Sequence, residues 1–464
     1  MPEPRTWQLT AGSAALGLVL AAAAAAAAGP WDGGQRTAER ARAAAPAAGG
    51  TRHAAPAPAA PRPERPAPAP SAPGVLTPLH APAGTTADLA AVLVPLLADP
   101  GLGPLRTASV VDTATGKQLY GEGAGTPMTP ASTVKIATTA AALSALGPEH
   151  RIPTTVTAAP DGTTVTLTGG GDPTLDPARL GALAADTARA LKAAGHTSVR
   201  LAYDTSLYKG PALHPIGPND NLAPVVALMT REGRLDDSRS GPAPRTADPA
   251  GDTATAFAGL LTRAGIRITG TPAPGRTPQA APLARTYSAP LADLVERTLT
   301  NSDNDLAEAL ARQTALARRQ PASFQGAEKA VRDELTRLGA PLAGARFADG
   351  SGLDRRDRVS AALLTGLLTR AADPARPALR PLLTGLPVGG FTGTLADRYD
   401  TAPAGLGLVR AKTGTLTGVN TLAGTAVTPD GRLLAFAFLA GRTLSPYEAQ
   451  PALDRLSAAL AGRK

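Results

Sequence analysis

Hydrophobic positions change their spacing several times along this chain. Between Leu9 and Gly29 they are almost unbroken, with Leu16 to Leu20 leading into eight consecutive alanines. An apolar run behind Arg5 at the extreme N-terminus reads as an export signal, either cleaved or retained as a membrane anchor; alanine is weakly hydrophobic, which favours cleavage. Residues 31–85 then lose all periodicity. Their Ala/Pro-rich text, PAPAAPRPERPAPAPSAP, predicts a disordered, extended polyproline II spacer.

Periodic patterning starts near Thr86, where LAAVLVPLLAD predicts a helix. A strand at Ala108 to Asp112, the turn TATGK and a short strand at Gln118 to Tyr120 follow as hairpin grammar. The C-terminal end has the same grammar: Thr421 to Thr428 and Leu433 to Leu439 are β-rich runs separated by PDGR, and a helix closes the chain from Tyr447 to Leu460. Strands from the two ends are expected to share one sheet. Between them, residues 151–289 show strand-like alternation (TTVTLT at 163–168), Gly/Pro turns and no chemical motif. The expected division is therefore 1–30 signal or anchor, 31–85 linker, 86–150 with 290–464 as one catalytic domain, and 151–289 as an inserted, smaller, strand-rich domain.

Composition removes several chemistries. There is no cysteine, so thiol nucleophiles, disulfides and Cys-type zinc sites are excluded, and the five histidines show no H-E-x-x-H spacing. No G-x-S-x-G elbow accompanies any serine, which argues against a Ser-His-Asp hydrolase. The formal charge of +9 would suit nucleic acid, but only 3% of residues are aromatic and no basic run is interleaved with stacking residues. Nucleic-acid binding is the weaker reading.

What remains is a serine with a lysine. Ser132 and Lys135 stand in PASTVKIATTAAALSALG, at the start of a helix-favouring segment. Three residues is nearly one helical turn, so Lys135 shares a face with Ser132 and can take its proton if burial or a neighbouring cation keeps the amine neutral. The spacing alone is cheap: Ser206 to Lys209 repeats it, but Asp204 precedes that copy and Gly210-Pro211 ends it, which predicts a turn. Ser302-Asp303-Asn304 falls between two helical stretches, PLADLVERTLT and DLAEALAR, where it can point into a cleft; all three types also cap helices, and capping is compatible with catalysis. Lys412-Thr413-Gly414-Thr415 opens the late β-rich region. A cation, hydroxyls and a side-chain-free backbone on a strand edge suit a substrate that adds as an extra strand and ends in a carboxylate.

Taken jointly and in this order, S-x-x-K, S-x-N and K-T-G are the signature of β-lactamases and penicillin-binding proteins. From about Thr86 to the C-terminus the chain resembles the D-alanyl-D-alanine carboxypeptidase/endopeptidase branch of the low-molecular-mass (class C) penicillin-binding proteins. GGGDPTL at 169–175, SDNDLAEALAR at 302–312, DGSGL at 349–353 and LPVGGFTGTLADR at 386–398 are similar to that branch. So is the wide gap between Lys135 and Ser302, which in the family holds inserted domains. Two departures stand out: LAGRTLSP follows the last strand where an Asn-containing turn is frequent, and Asp354 follows DGSGL where serine is common.

The resemblance implies an α/β fold of the β-lactamase/transpeptidase type, an antiparallel sheet flanked by helices. It implies a serine peptidase in which Ser132 attacks the carbonyl between two D-alanines and Lys135 accepts its proton. Ser302 would relay a proton to the leaving amine, and Asn304 would hydrogen-bond the substrate backbone. Lys412, Thr413 and Thr415 would hold the terminal carboxylate, with the backbone N–H groups of Ser132 and Thr415 as oxyanion hole. The implied partners are peptidoglycan stem peptides and β-lactams as covalent inhibitors, in an extracytoplasmic location, with no metal or organic cofactor. A β-lactamase is the enzymatic alternative, although no E-x-x-L-N stretch occurs; a non-catalytic wall-binding protein on the same fold is the other.

Overall fold

The computed structural model describes residues 86–276 and 282–462. The signal or anchor expected at 1–30 and the linker expected at 31–85 lie outside the described residues. Among the described residues no helix is long and apolar enough to cross a membrane.

Five strands build the first sheet: β1 (Leu105–Asp112), β2 (Gln118–Glu122), β9 (Val409–Leu416), β10 (Val419–Val427) and β11 (Leu433–Gly441), in the antiparallel order β2-β1-β11-β10-β9. Strands from both ends of the chain share this sheet, as the sequence predicts, and the structure adds that they pair directly, β1 against β11. The sequence LLAFAFLAG explains why β11 sits at the centre. Alternate side chains point to opposite faces, so Leu434, Phe436, Phe438 and Ala440 face one layer while Ala435, Ala437 and Leu439 face the other. The bulky face packs on α1 (Thr86–Leu97) and on the C-terminal helix, Pro446–Ala461, through Leu89, Leu93, Leu453 and Leu456. Each fully buried Phe is worth roughly 1.5–3 kcal/mol of transfer free energy. The small face lets helices approach closely, and that layer holds α2 (Lys135–Leu146). Every residue of α2 from Lys135 to Leu143 is buried, so its alanine richness is a packing requirement of a central helix.

The second sheet has six strands within residues Pro153 to Tyr287: β3 (Pro153–Ala158), β4 (Thr164–Thr168), β5 (Ser198–Asp204), β6 (Arg267–Ile268), β7 (Ala273–Pro274) and β8 (Pro282–Tyr287). It is mixed. β3 runs antiparallel to β4 and β8, whereas β4, β5 and β6 are parallel. Parallel neighbours need a crossover, supplied here by α3 (Pro177–Ala193) and α4 (Pro249–Arg263), each started by an Asp cap and a Pro in the first turn. Leu180, Leu183, Leu191, Phe257 and Leu261 of these helices cover Val156, Val165 and Leu167 of the sheet. Strand alternation was the legible signal in this region, and the two crossover helices add to it.

Among the described residues the remaining α-helices are α5 (Leu291–Thr300), α6 (Asn304–Ala317), α7 (Phe324–Arg337), α8 (Ala361–Ala372) and the short α9 (Pro381–Thr384), followed by the C-terminal helix as α10. α5, α7 and α8 join α2 in the core on the small face of the first sheet.

Candidate active site

Ser132 sits in a single 3-10 turn, Ala131–Val134, that runs into α2 at Lys135. Ala131 has a φ of 48°, a left-handed conformation rare for a residue with a Cβ. The turn is held from outside. The Pro130 carbonyl accepts hydrogen bonds from the hydroxyls of Thr133 and of Thr421 on β10, both at 2.7 Å. Gly414 explains itself here: a Cβ on this β9 residue would lie 2.6 Å from the Pro130 oxygen and 3.1 Å from the Thr133 nitrogen. The glycine of K-T-G therefore lets the strand abut the nucleophile turn. Gly352 does the same from the other side, with a φ of +86° and room for no side chain against the Ser132 nitrogen.

Lys135 is fully buried, and its Nζ donates to three acceptors: Ser132 Oγ at 2.9 Å, Asn304 Oδ1 at 2.7 Å and the Ser351 carbonyl at 2.6 Å. Burial pulls its pKa down to about 8, while the charges of Asp349, Asp303, Glu308 and Asp357 oppose the fall. A neutral amine in this cage keeps two N–H bonds, to Asn304 and Ser351, and turns its lone pair to the serine hydroxyl. That is the arrangement a general base requires.

The S-D-N segment combines both of its readings. Ser302 lies between α5 and α6 with a φ of 57° and lines the cavity. Asp303 caps α6, its Oδ1 accepting the Leu306 N–H at 2.9 Å. Asn304 spends its amide on two partners, accepting from Lys135 and donating to the Asn221 carbonyl at 3.0 Å. One amide hydrogen remains for a ligand.

Ser132, Ser302, Asn304, Thr413 and Thr415 line one cavity, which brings the three motifs together across 283 positions of sequence, from 132 to 415. Lys412 stands behind that wall. It is fully buried, donates to the Thr413 carbonyl at 2.7 Å, and has its pKa driven well below the usual lysine value by burial and by the charge of Lys135. The Thr413 hydroxyl donates to Thr394 Oγ1 at 2.8 Å, which brings the LPVGGFTGTLADR stretch to the same wall. The second S-x-x-K does not join the site: Ser206 and Leu207 form a turn after β5 and Lys209 is exposed.

The sequence profile of the D-Ala-D-Ala carboxypeptidase 3 (S13) family matches residues 89–238 and 236–460. The chain belongs to that family. It is 38% identical over 397 residues to the carboxypeptidase DacB of Mycolicibacterium smegmatis, covering 82% of this chain and 85% of the relative. It is 31% identical over 431 residues to the D-alanyl-D-alanine carboxypeptidase of Actinomadura sp., covering 73% and 78%. Among solved structures, penicillin binding protein 4 (dacB) of Haemophilus influenzae superposes with a TM-score of 0.66 at 23% identity, covering 82% of this chain and 98% of that one. Its complex with a β-lactam superposes at 0.62. The fold is thus that of penicillin binding protein 4.

In this S13 carboxypeptidase the middle of the sequence also supplies the site, which the absence of a motif there concealed. Asn221, Arg234, Ser240, Gly241, Pro242 and Arg245 line the same cavity. Arg245 pairs with Asp305 at 3.1 Å, Arg234 with Glu232 at 2.8 Å, and Arg297 with both Glu232 and Asp303. Burial and the charge of Asp303 push Asp305 up to about 7. Among the described residues two buried groups bring donor atoms close together, Glu232–Asp303–Asp305 and His214–Glu308–Asp349. Each carboxyl group of the first is paired with at least one of the three arginines. In the second, His214 and Asp349 are bonded to each other and Glu308 Oε1 accepts the N–H groups of Gly350 and Ser351. Neither group is assigned a metal. Only the excess of Arg, Asp and Glu around these positions could have flagged them in sequence.

Proposed function

We propose that this enzyme removes the terminal D-alanine of peptidoglycan stem peptides through an acyl-enzyme on Ser132. The observation that carries the proposal is the cage around Lys135, a buried amine 2.9 Å from the serine oxygen with its other hydrogens committed to Asn304 and Ser351. Ser132 Oγ bonds to the carbonyl carbon of the penultimate D-alanine as its proton passes to Lys135. The carbonyl oxygen becomes an oxyanion before the Ser132 and Thr415 N–H groups, the interaction that contributes most to acyl transfer. The C–N bond then breaks, and the leaving amine takes a proton relayed by Ser302. Water attacks the ester carbonyl as its proton passes to Lys135, and the C–O bond to Ser132 breaks as Lys135 returns that proton to Ser132 Oγ, freeing the shortened peptide. A cross-link ending in the same D-alanyl bond offers the same chemistry.

The terminal carboxylate of the substrate fits against Thr413 and Thr415, with the buried Lys412 behind them bonded to the Thr413 carbonyl. Residues 86–150 and 290–464 form the catalytic domain in this reading, and 151–289 an insertion that walls the cleft. The substrate lies outside the cytoplasm, which suits an exported chain with a cleaved signal or an N-terminal anchor. A β-lactam presents a strained amide to the same serine. Incubation with a labelled β-lactam, followed by intact mass, tests the site: one adduct on wild type and none on Ser132→Ala is expected. An adduct that survives Ser132→Ala sinks the assignment, and rapid turnover of the β-lactam makes the enzyme a β-lactamase.

A further inference from the structure

Behind Lys135 a chain of buried contacts leads out of the catalytic motifs and ends on a side chain of the middle region. The Ser351 carbonyl, which takes a hydrogen bond from Lys135, belongs to the tight turn Gly350 to Asp354. Two buried carboxylates hold that turn. Glu308 Oε1 accepts the N–H groups of Gly350 and Ser351, both at 2.9 Å. Asp349 accepts those of Gly352 at 2.6 Å and Asp354 at 2.7 Å, and the Ser351 hydroxyl at 3.2 Å. Asp349 also bonds to the side chain of Asp357 and to His214 Nε2, the latter 3.0 Å away in a pair whose side chains are 2% and 0% exposed.

We infer that His214 is a positioning residue for acyl transfer: by bonding Asp349 it fixes the turn whose Ser351 carbonyl orients Lys135. The inference rests on the Ser132–Lys135 reading of the site. His214 is itself fixed. Its ring meets Phe324 edge-on with centroids 5.3 Å apart, and its Nδ1 accepts the Ile216 N–H at 3.2 Å, which leaves the hydrogen on Nε2, facing the carboxylate. Burial alone would raise the Asp349 carboxyl; the His214 bond and the other donors instead hold it at about 2. Glu308 and Asp354 are the other charged groups acting on the imidazole, while Asp349, Asp303, Glu308 and Asp357 act on Lys135. His214 does not line the cavity, so its effect must travel through the turn.

A positioning role and a merely structural one separate kinetically. Acylation of the full chain by a labelled β-lactam, followed over a concentration series, gives a saturating rate, a half-saturation concentration and the fraction of molecules labelled. His214→Leu, which removes the imidazole donor from Asp349, is expected to lower the saturating rate at least tenfold and to leave half-saturation within twofold, because the cavity wall is untouched. His214→Gln, whose amide reaches the place of Nε2, is expected to recover most of the rate. Should the leucine variant not fold, His214→Asn takes its place, since its shorter amide matches the Nδ1 end and does not reach Asp349. A wild-type saturating rate in the leucine or asparagine variant, even with fewer molecules labelled, overturns the inference, and so does a glutamine variant no faster than it. No adduct on Ser132 in the wild type overturns the site reading itself and is told apart by the unlabelled parent.

Discussion

Two stretches of this chain read Ser-x-x-Lys, and they have opposite fates. In Ser132 to Lys135 the backbone turns through a 3-10 helix into α2, which sets the lysine amine 2.9 Å from the serine oxygen and leaves it fully buried. In Ser206 to Lys209 the same spacing is spent on a turn after β5. There the Ser206 N–H goes to Asp204 Oδ1, the Lys209 N–H goes to the Ala322 carbonyl, and the lysine side chain is exposed. The pattern of letters carries no chemistry by itself. A helical i to i+3 relation aligns the two side chains, and desolvation makes the amine a base; only the first copy has both.

Removing the amine from the first copy tests this most severely. Lys135→Ala leaves Ser132 on its turn but without an acceptor for its proton, and positioned general bases are worth roughly 10²–10⁴-fold in rate. Acylation by a labelled β-lactam is expected to fall by that order, with the same loss in release of D-alanine from a stem-peptide substrate. A fall of less than tenfold would show that the helical alignment is not what makes Ser132 reactive, and the contrast between the copies would lose its meaning.

How much of this was readable beforehand follows from the range of the interactions. Ser132, Lys135, Ser302, Asn304 and the Lys412 to Thr415 strand were legible because each motif is local, a few residues on one turn, loop or strand. That strands from the two ends share a sheet was legible too, through the hairpin grammar at both ends, but not that β1 pairs with β11. Asn221, Arg245, His214 and Asp349 were not, since their partners lie 83, 60, 135 and 135 positions away, at Asn304, Asp305, Asp349 and His214 respectively. No periodicity encodes such contacts. α3 and α4 were missed because the strand-like alternation of TTVTLT and the Gly/Pro turns dominated the reading of this region, although Asp176-Pro177 and Asp248-Pro249 mark the two helix starts.

Desolvation of the first lysine sharpens the contrast through pH. Burial brings Lys135 down to about 8, against the pull of Asp349, Asp303, Glu308 and Asp357 toward the charged form. The ammonium has no lone pair for the Ser132 proton, so the active fraction is the neutral one. It is nearly complete above the pKa and declines about tenfold for each pH unit below it. The acylation rate is therefore expected to climb with pH along a limb centred near 8 and to level off above it. A rate that stays flat from pH 6 to 8 would place the proton acceptor elsewhere.

The smallest effect belongs to the second copy, where the two hydrogen bonds described above use backbone N–H groups that alanine retains. Ser206→Ala and Lys209→Ala therefore keep the turn, remove only a half-buried hydroxyl and an exposed amine, and should stay within ~0.5 kcal/mol of the wild-type stability. Acylation of Ser132 is expected to continue at the wild-type rate within about twofold in both, which is what that energy amounts to. The measurement is informative because it isolates spacing from structure: these variants delete an intact Ser-x-x-Lys that lacks only the helix and the burial. Loss of the adduct in Ser206→Ala, with Ser132 in place, would mean that the turn beyond β5 reaches the reaction after all. The division of roles between the two copies would then have to be redrawn.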